Sequence, residues 1–291
     1  MEFRFDSVID ERKPESLKLE KKKVAFVFKL TGNFDFALAS MLMDLKRTQS
    51  RLPDEIIVFH DGIPLESKNL LYSILPVRFV KYKFPIKSPS VRFSRTVRHF
   101  TPLVFASFEC LRLLEEFDTV IQLDYDQVIL DDISELAVGS FSIRACQLNA
   151  TVRVMLRREI SGYDLNQRGF ITLGFGSDLT NYQELYDFCY QELRRNANRL
   201  IMPEMAIFAF MVEKFGIQID FVPLEVYTPH PRDATAKAKV LHGHSQPKFW
   251  NGLANAQWQA NYKHWLEMGG RPYRSGRLFD EIRRMRAVLL S

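Results

Sequence analysis

Cysteine is scarce in these 291 residues, and the three present, Cys110, Cys146 and Cys189, share no metal or redox spacing. That excludes a disulfide-stapled scaffold and a thiolate zinc site, and it suits a reducing compartment. Long apolar runs are missing as well, since none approaches the roughly 18 residues that would span a bilayer. The opening Met-Glu-Phe-Arg-Phe-Asp has no charged-then-apolar leader pattern, so the sequence predicts a cytoplasmic protein. Glycine is sparse where it would matter most. Lys29-Leu-Thr-Gly-Asn33, between the first apolar run and the first helical one, has a single glycine, which excludes a glycine-rich phosphate loop there. No internal repeat or low-complexity tract is present. With 46% hydrophobic and 26% charged residues, the chain has the make-up of an ordinary globular protein long enough for one large α/β domain.

Charge is modest in sum, +5, but uneven in placement. Lys13 to Lys23 is lysine-rich and reads as a solvated N-terminal arm over residues 1–20. Arg271 to Arg286 carries six arginines against two acids, interleaved with Tyr273, Leu278, Phe279, Ile282, Met285 and Val288. A basic stretch with an apolar side suits either a plain surface helix or peripheral contact with an anionic membrane. Nucleic acid is not expected as a partner, because no nucleic-acid-binding module accompanies the charge.

Apolar periodicity sets out the organisation. Lys23 to Phe28 reads as a buried strand and Phe34 to Arg47 as a helix, followed by strands at Glu55 to His60 and Val77 to Tyr82. Leu103 to Phe117 has helical spacing and feeds a strand at Thr119 to Leu123. Strands at Phe141 to Asn149, Phe170 to Phe175, Gln218 to Val222 and Lys239 to His242, with helices at Asn181 to Arg195 and Glu204 to Phe215, complete the reading. Alternation of strand and helix predicts an α/β fold with a mainly parallel sheet covered on both faces. No linker interrupts the run from residue 21 to about 255, so residues 256–291 form a C-terminal extension. Its aromatics, Trp258, Tyr262, Trp265 and Tyr273, suit either packing against the domain or docking on a membrane.

Asp124-Tyr125-Asp126 closes the apolar run Thr119 to Leu123. Positions i and i+2 of an extended segment share a face, so the two carboxylates are placed to converge on one oxygen-seeking cation. Such sheets bind ligands beyond the carboxyl ends of their strands, which is where this pair falls. A second polar cluster, Val240-Leu-His-Gly-His-Ser-Gln-Pro-Lys-Phe-Trp250, also follows an apolar strand. It offers an imidazole as a metal ligand and an ammonium for a phosphate.

These two segments together resemble glycosyltransferase family 8. Leu123 to Leu136 is similar to that family's Asp-x-Asp segment. His242-x-x-Ser245-x-x-Lys248-Phe249-Trp250 is similar to its His-x-x-Gly-x-x-Lys-Pro-Trp signature. The resemblance implies a GT-A fold, a Rossmann-like nucleotide-sugar-binding fold with a mixed, mainly parallel sheet. It also implies transfer of a hexose from a UDP-sugar to a glycan or glycolipid acceptor with retention at the anomeric carbon, in bacterial surface or lipopolysaccharide synthesis. By motif position Asp124, Asp126 and His242 would bind Mn²⁺ or another divalent cation, with Tyr125 between the aspartates, and Lys248 would sit near the β-phosphate. Asn33 would lie by the nucleoside pocket, Gly174 and Ser245 would match family glycines, and Glu204 would stand by the reacting sugar as the candidate nucleophile. Imidazole in the ligand set favours Mn²⁺ over Mg²⁺.

Departures from the family pattern fall at Ser107, where it often has arginine, and at Thr172, Met205 and Ser245. Arg95 or Arg98 would be the replacements for the missing arginine. These losses leave a catalytically weak nucleotide-sugar-binding or membrane-associated scaffold as an alternative. A second alternative is a haloacid-dehalogenase-like phosphatase, whose first motif Leu123 to Ile129 also fits. It is disfavoured by the distance from the N-terminus and by the lack of a Gly-Asp-x-x-x-Asp segment.

Overall fold

A computed structural model describes residues 22–274. The lysine-rich arm at residues 1–20 and the basic segment from residue 275 lie outside the described residues. The chain opens with β1 (Lys22–Leu30), α1 (Asp35–Thr48), β2 (Glu55–His60), α2 (Leu65–Ile74) and β3 (Arg78–Lys81). Two short helices follow, α3 (Pro89–Arg92) and α4 (Arg95–Phe100), and then a 3₁₀ segment, Pro102–Phe108, runs into α5 (Glu109–Leu113). Next come β4 (Phe117–Leu123), β5 (Gln127–Ile129), β6 (Ile143–Thr151), β7 (Arg168–Phe175), α6 (Tyr182–Asn196) and α7 (Pro203–Phe215). The last elements are β8 (Ile219–Val222), α8 (Leu224–Tyr227), β9 (Val240–His242) and α9 (Ala256–Glu267).

Seven strands form one sheet in the order β3-β2-β1-β4-β7-β6-β8, and β5 pairs with β9 in a small second sheet. Only β7 runs against its neighbours in the large sheet, pairing antiparallel with both β4 and β6. The sheet is therefore mixed and mainly parallel, as the alternating pattern predicts. Gly174 lies where β4 and β7 approach: a Cβ there would come within 2.9 Å of the Val120 carbonyl oxygen. Its lack of a side chain serves strand packing.

Residue parity sorts the two faces of the sheet. Ala25 and Val27 of β1 enter one apolar layer with Phe105, Phe108 and the buried side of α7. Phe26, Phe28 and Leu30 enter the other with Leu38 and Leu42 of α1. Each fully buried Leu or Phe contributes about 1.5–3 kcal/mol, so both layers hold the strand ends firmly. Lys29 continues the parity of Ala25 and Val27, and so does Gln122, which neighbours Val27 across the β1–β4 pair. Both side chains therefore emerge at the sheet's rim on the α7 side.

The helix expected over Leu103 to Phe117 is not continuous. Its first half is 3₁₀, its second a short α5, and the strand already begins at Phe117. Pro102, preceded by Thr101 at φ 67°, fixes the entry, and Leu103, Phe105, Ala106, Ser107 and Phe108 are all buried. A segment enclosed on every side has no solvent face to enforce helical amphipathy, so packing selects the tighter turn. Elements that carry weak local signals and are not evident from periodicity are α2, α9 and β5, together with the short helices α3, α4 and α8.

Asp44 shows how α1 organises its surroundings. It is fully buried and accepts from the Ile129 amide of β5 at 3.1 Å, from Asn261 of α9 at 2.8 Å and from Arg47 at 3.0 Å. Burial still pushes its carboxyl above the usual range, with Asn261 and Arg47 opposing. The aromatics of the C-terminal stretch pack inward: Trp258 and Trp265 belong to the layer around α1. Beyond α9, Arg271 donates to Asp35 at 2.9 Å and to the Gly32 carbonyl at 3.0 Å, while its own carbonyl accepts from Trp265. No helix of the described residues is long and apolar enough to cross a membrane.

Candidate active site

At the end of β4 the chain turns sharply, and the turn is held by a neighbour. The Asp124 amide donates to the buried Gln127 side-chain oxygen at 3.2 Å. Gln127 opens β5, whose antiparallel partner β9 places His242 directly opposite it. This pairing brings residues far apart in sequence to one spot. Just beyond it, the Gly243 amide donates to the Asp126 carbonyl at 2.8 Å. A Cβ at 243 would lie 3.2 Å from that oxygen and 2.9 Å from the Phe249 ring, so the tight approach requires glycine.

His242 Nε2 then lies 3.3 Å from Asp126 Oδ1 and 3.8 Å from Asp124 Oδ2. One ligand atom from each of the three residues falls within 4.8 Å of the others. The other ring nitrogen, Nδ1, is 2.9 Å from the Thr228 hydroxyl. With Nδ1–H donating to Thr228, Nε2 turns its lone pair towards the aspartates, the arrangement that a metal-binding imidazole needs. Lys248 Nζ donates to Asp126 Oδ2 from the opposite side.

Charge in this cluster is tightly coupled. Burial works against ionisation of Asp126, but His242 and Lys248 outweigh it and hold the carboxyl far below the usual range. Burial likewise opposes a charged His242, and Asp126 and Asp124 overcome it, so the imidazole's affinity for a proton is raised. A spot where a buried imidazole gains positive charge is one where a divalent cation is favoured too. Two carboxylates and an imidazole suit a cation that accepts both oxygen and nitrogen, such as Mn²⁺. The residues present fit the ion implied by the motifs.

Beside the cluster opens a cavity of about 300 Å³. Its lining combines charged or polar residues, Lys29, Gln122, Asp124, Thr172, Glu204 and His242, with apolar ones, Leu148, Ile171, Met205 and Phe208. Glu204 follows Pro203 at the start of α7, where the helix dipole favours an acid. Burial nevertheless pushes its carboxyl up, with Lys29 opposing. Lys29 Nζ donates to Ser107 Oγ at 2.7 Å and lies 3.5 Å from Asp124 Oδ1. Ser107 is where the family resemblance leads one to expect arginine. The nearby cation is Lys29, whereas Arg95 and Arg98 sit exposed on α4 and are not among the residues lining the cavity.

The structure thus brings together Asp124, Asp126, His242, Lys248 and Glu204. It places the other expected residues around them. Tyr125 stacks on Phe34 at 5.1 Å and on Trp250 at 6.0 Å, forming an aromatic wall. Asn33 is exposed in the turn between β1 and α1, and Gly174 is inside the sheet; neither lines the cavity. Ser245 is exposed at φ 67°, the left-handed region that favours the glycine found in the family signature. Sequence reasoning missed Lys29, Gln127 and Thr228. Only the parity of β1 signals Lys29; Gln127 and Thr228 become visible through the β5–β9 pairing, which no local pattern announces.

No protein-family model matches the chain, and no curated protein matches its sequence. Solved structures do match. The bifunctional glycosyltransferase WbbM aligns with a TM-score of 0.63 and 14% identity, over 92% of this chain and 53% of that one. The chain thus spans about half of WbbM. The galactosyltransferase LgtC, in complex with donor and acceptor sugar analogues, aligns with a TM-score of 0.59 and 14% identity, over 88% and 98% of the two chains. The glycosyltransferase GlyE from Streptococcus pneumoniae TIGR4 aligns with a TM-score of 0.53 and 16% identity, over 88% and 66%. These neighbours are GT-A glycosyltransferases of the kind the two motifs resemble, and this chain has their fold.

Proposed function

We propose that this GT-A chain is a metal-dependent retaining hexosyltransferase of the family 8 type, moving a hexose from a UDP-sugar to a glycan or glycolipid acceptor. The observation that carries the reading is the Asp124–Asp126–His242 cluster at the mouth of the cavity that also holds Glu204. That LgtC accepts donor and acceptor sugar analogues supports the substrate class. Asp124, Asp126 and His242 would hold Mn²⁺, which supplies a Lewis acid against the charge that develops on the leaving diphosphate.

The chain's own residues do the rest. Lys248, beside Asp126, offers an ammonium to the departing β-phosphate. Tyr125, half-buried and stacked on Phe34 and Trp250, would stand beside the nucleobase. In the front-face route the bond between the anomeric carbon and the phosphate oxygen breaks as the acceptor oxygen attacks from the same side, and the acceptor's proton passes to the departing phosphate. Glu204 is the nucleophile of the alternative double displacement. A covalent sugar on Glu204, detected by mass spectrometry, would select that second route.

The protein's expected setting is the cytoplasm, with the acceptor in bacterial surface polysaccharide or lipopolysaccharide synthesis. Contact with the inner face of the membrane would fall to the basic segment outside the described residues. The phosphatase alternative is disfavoured by the fold, which is that of GT-A glycosyltransferases, and by the imidazole of His242, rather than a further carboxylate, beside Asp124 and Asp126. Hydrolysis of a panel of UDP-sugars, with and without Mn²⁺, tests class, donor and metal together. Mn²⁺-dependent release of UDP is the expected result. Tight UDP–Mn²⁺ binding without any turnover would favour the scaffold reading instead.

A further inference from the structure

Lys29 belongs to neither motif, yet it is the cation of the cavity. It is a lysine at a strand end with a side chain only 14% exposed. An ammonium has three N–H groups. Ser107 takes one at 2.7 Å and Asp124 Oδ1 lies 3.5 Å away, which leaves a donor at the cavity wall. Among the residues lining the cavity, three buried acceptor atoms lack a hydrogen-bond partner: Gln122 Oε1, Thr172 Oγ1 and Glu204 Oε2. Unsatisfied buried polar groups are costly, so three of them on residues lining one cavity, beside the Lys29 ammonium, point to a ligand dense in hydroxyls.

Asp124 divides the site. Its Oδ2 faces His242, and beyond His242 and Asp126 stands Lys248; its Oδ1 faces Lys29. We propose that Lys29 is a donor-contacting residue: its remaining N–H holds a hydroxyl of the transferred sugar, and Ser107 is small because Lys29 occupies the space a longer residue would fill. This rests on the function proposed above and assigns the two ammonium groups separate tasks, Lys248 to the diphosphate and Lys29 to the sugar.

The test is calorimetric titration of UDP, UDP-glucose and UDP-galactose, with Mn²⁺, into wild type, Lys29→Met, Lys29→Arg and the double variant Lys29→Ala/Ser107→Arg, each checked by circular dichroism. Lys29→Met should bind UDP within about twofold of wild type and the preferred UDP-hexose at least about tenfold more weakly, the size of one hydrogen bond to a charged donor. The double variant should recover most of that loss, because a guanidinium grown from position 107 reaches the spot next to Asp124. A folded Lys29→Met protein that keeps both affinities overturns the proposal. So does an equal loss for UDP and UDP-hexose, which would make Lys29 a prop for the metal-binding carboxylate. If Lys29→Met fails to fold, a folded Lys29→Arg or double variant that shows the equal loss is equally decisive, and failure of all three to fold assigns Lys29 to stability alone. A Lys29-dependent preference for UDP-hexose without turnover leaves this inference standing and removes the transferase; a wild type that binds neither ligand overturns both.

Discussion

The two flanks of Asp124 differ in how their charge is balanced. On the His242 side each carboxylate faces a cation: Asp126 accepts from Lys248 and lies beside His242, and its carboxyl is held far below the usual range. On the Lys29 side a single ammonium serves two acids, Glu204 is pushed up by burial, and three buried acceptors have no partner. The first flank is electrostatically closed and tuned to a cation, while the second is open and tuned to hydroxyls. The difference teaches that one site can hold a permanent charge balance and a provisional one side by side, with a single carboxylate, Asp124, shared between them.

The largest expected effect comes from removing the shared carboxylate. Asp124→Asn or Asp126→Asn should lower Mn²⁺-dependent UDP release on the order of a thousandfold while leaving the melting transition in place. Wild-type-like turnover of a purified Asp124→Asn protein would sink the metal assignment. Thr228→Val probes the closed flank from behind. By freeing the imidazole of His242 it should weaken Mn²⁺ binding, followed by paramagnetic resonance of the free ion, by about 10–100-fold. Unchanged affinity would show that the hydroxyl does not orient the ring.

Lys248→Met should sharpen the contrast with Lys29. It should lower the affinities for UDP and for UDP-hexose by the same factor, about tenfold, leaving their ratio unchanged. A changed ratio would merge the two flanks.

The smallest effect is on stability alone. Glu204 has a folded pKa above its ordinary value of 4.5, so the native state holds an extra proton between the two values. The stabilisation is therefore fully present below about pH 4.5 and is lost as pH rises through the folded value. Thermal melts of metal-free protein should show Glu204→Gln flattening this dependence and Lys29→Met steepening it. Identical pH profiles for all three proteins would refute the coupling between Lys29 and Glu204.

Legibility in the sequence followed the same divide. The regular first half of the sheet reads directly, because β1, β2 and β4 are largely apolar runs and α1 is a long apolar stretch compatible with helical spacing. The closed flank was legible because its residues are fixed in spacing within two short segments, 123–126 and 242–250. The open flank is legible only in part: Glu204, Thr172 and Ser107 fall on positions of the family pattern, whereas Lys29 and Gln122 join them only through strand parity and the packing of α7. The 3₁₀ turn at Pro102–Phe108 differs from the expected continuous helix because its apolar spacing is compatible with both, and the entry at Pro102 and the surrounding packing select the tighter turn. β5 is three residues long, too short for any period to show, yet it delivers His242 to the aspartates.

The bond from Arg271 to Asp35 and to the Gly32 carbonyl has a consequence for synthesis. Its partners are 236 and 239 residues apart along the chain. Contacts of that separation close late, since the chain entropy of so large a loop must be overcome first. On a ribosome the strand and helix that flank the Gly32–Asp35 turn emerge early, but the clasp on that turn forms only after residue 271 has left the tunnel. Until then the turn is held by its earlier partners, Asp61 on the Gly32 amide and Ser67 on the Asp35 carboxylate, and the last described stretch to be translated adds the final clasp.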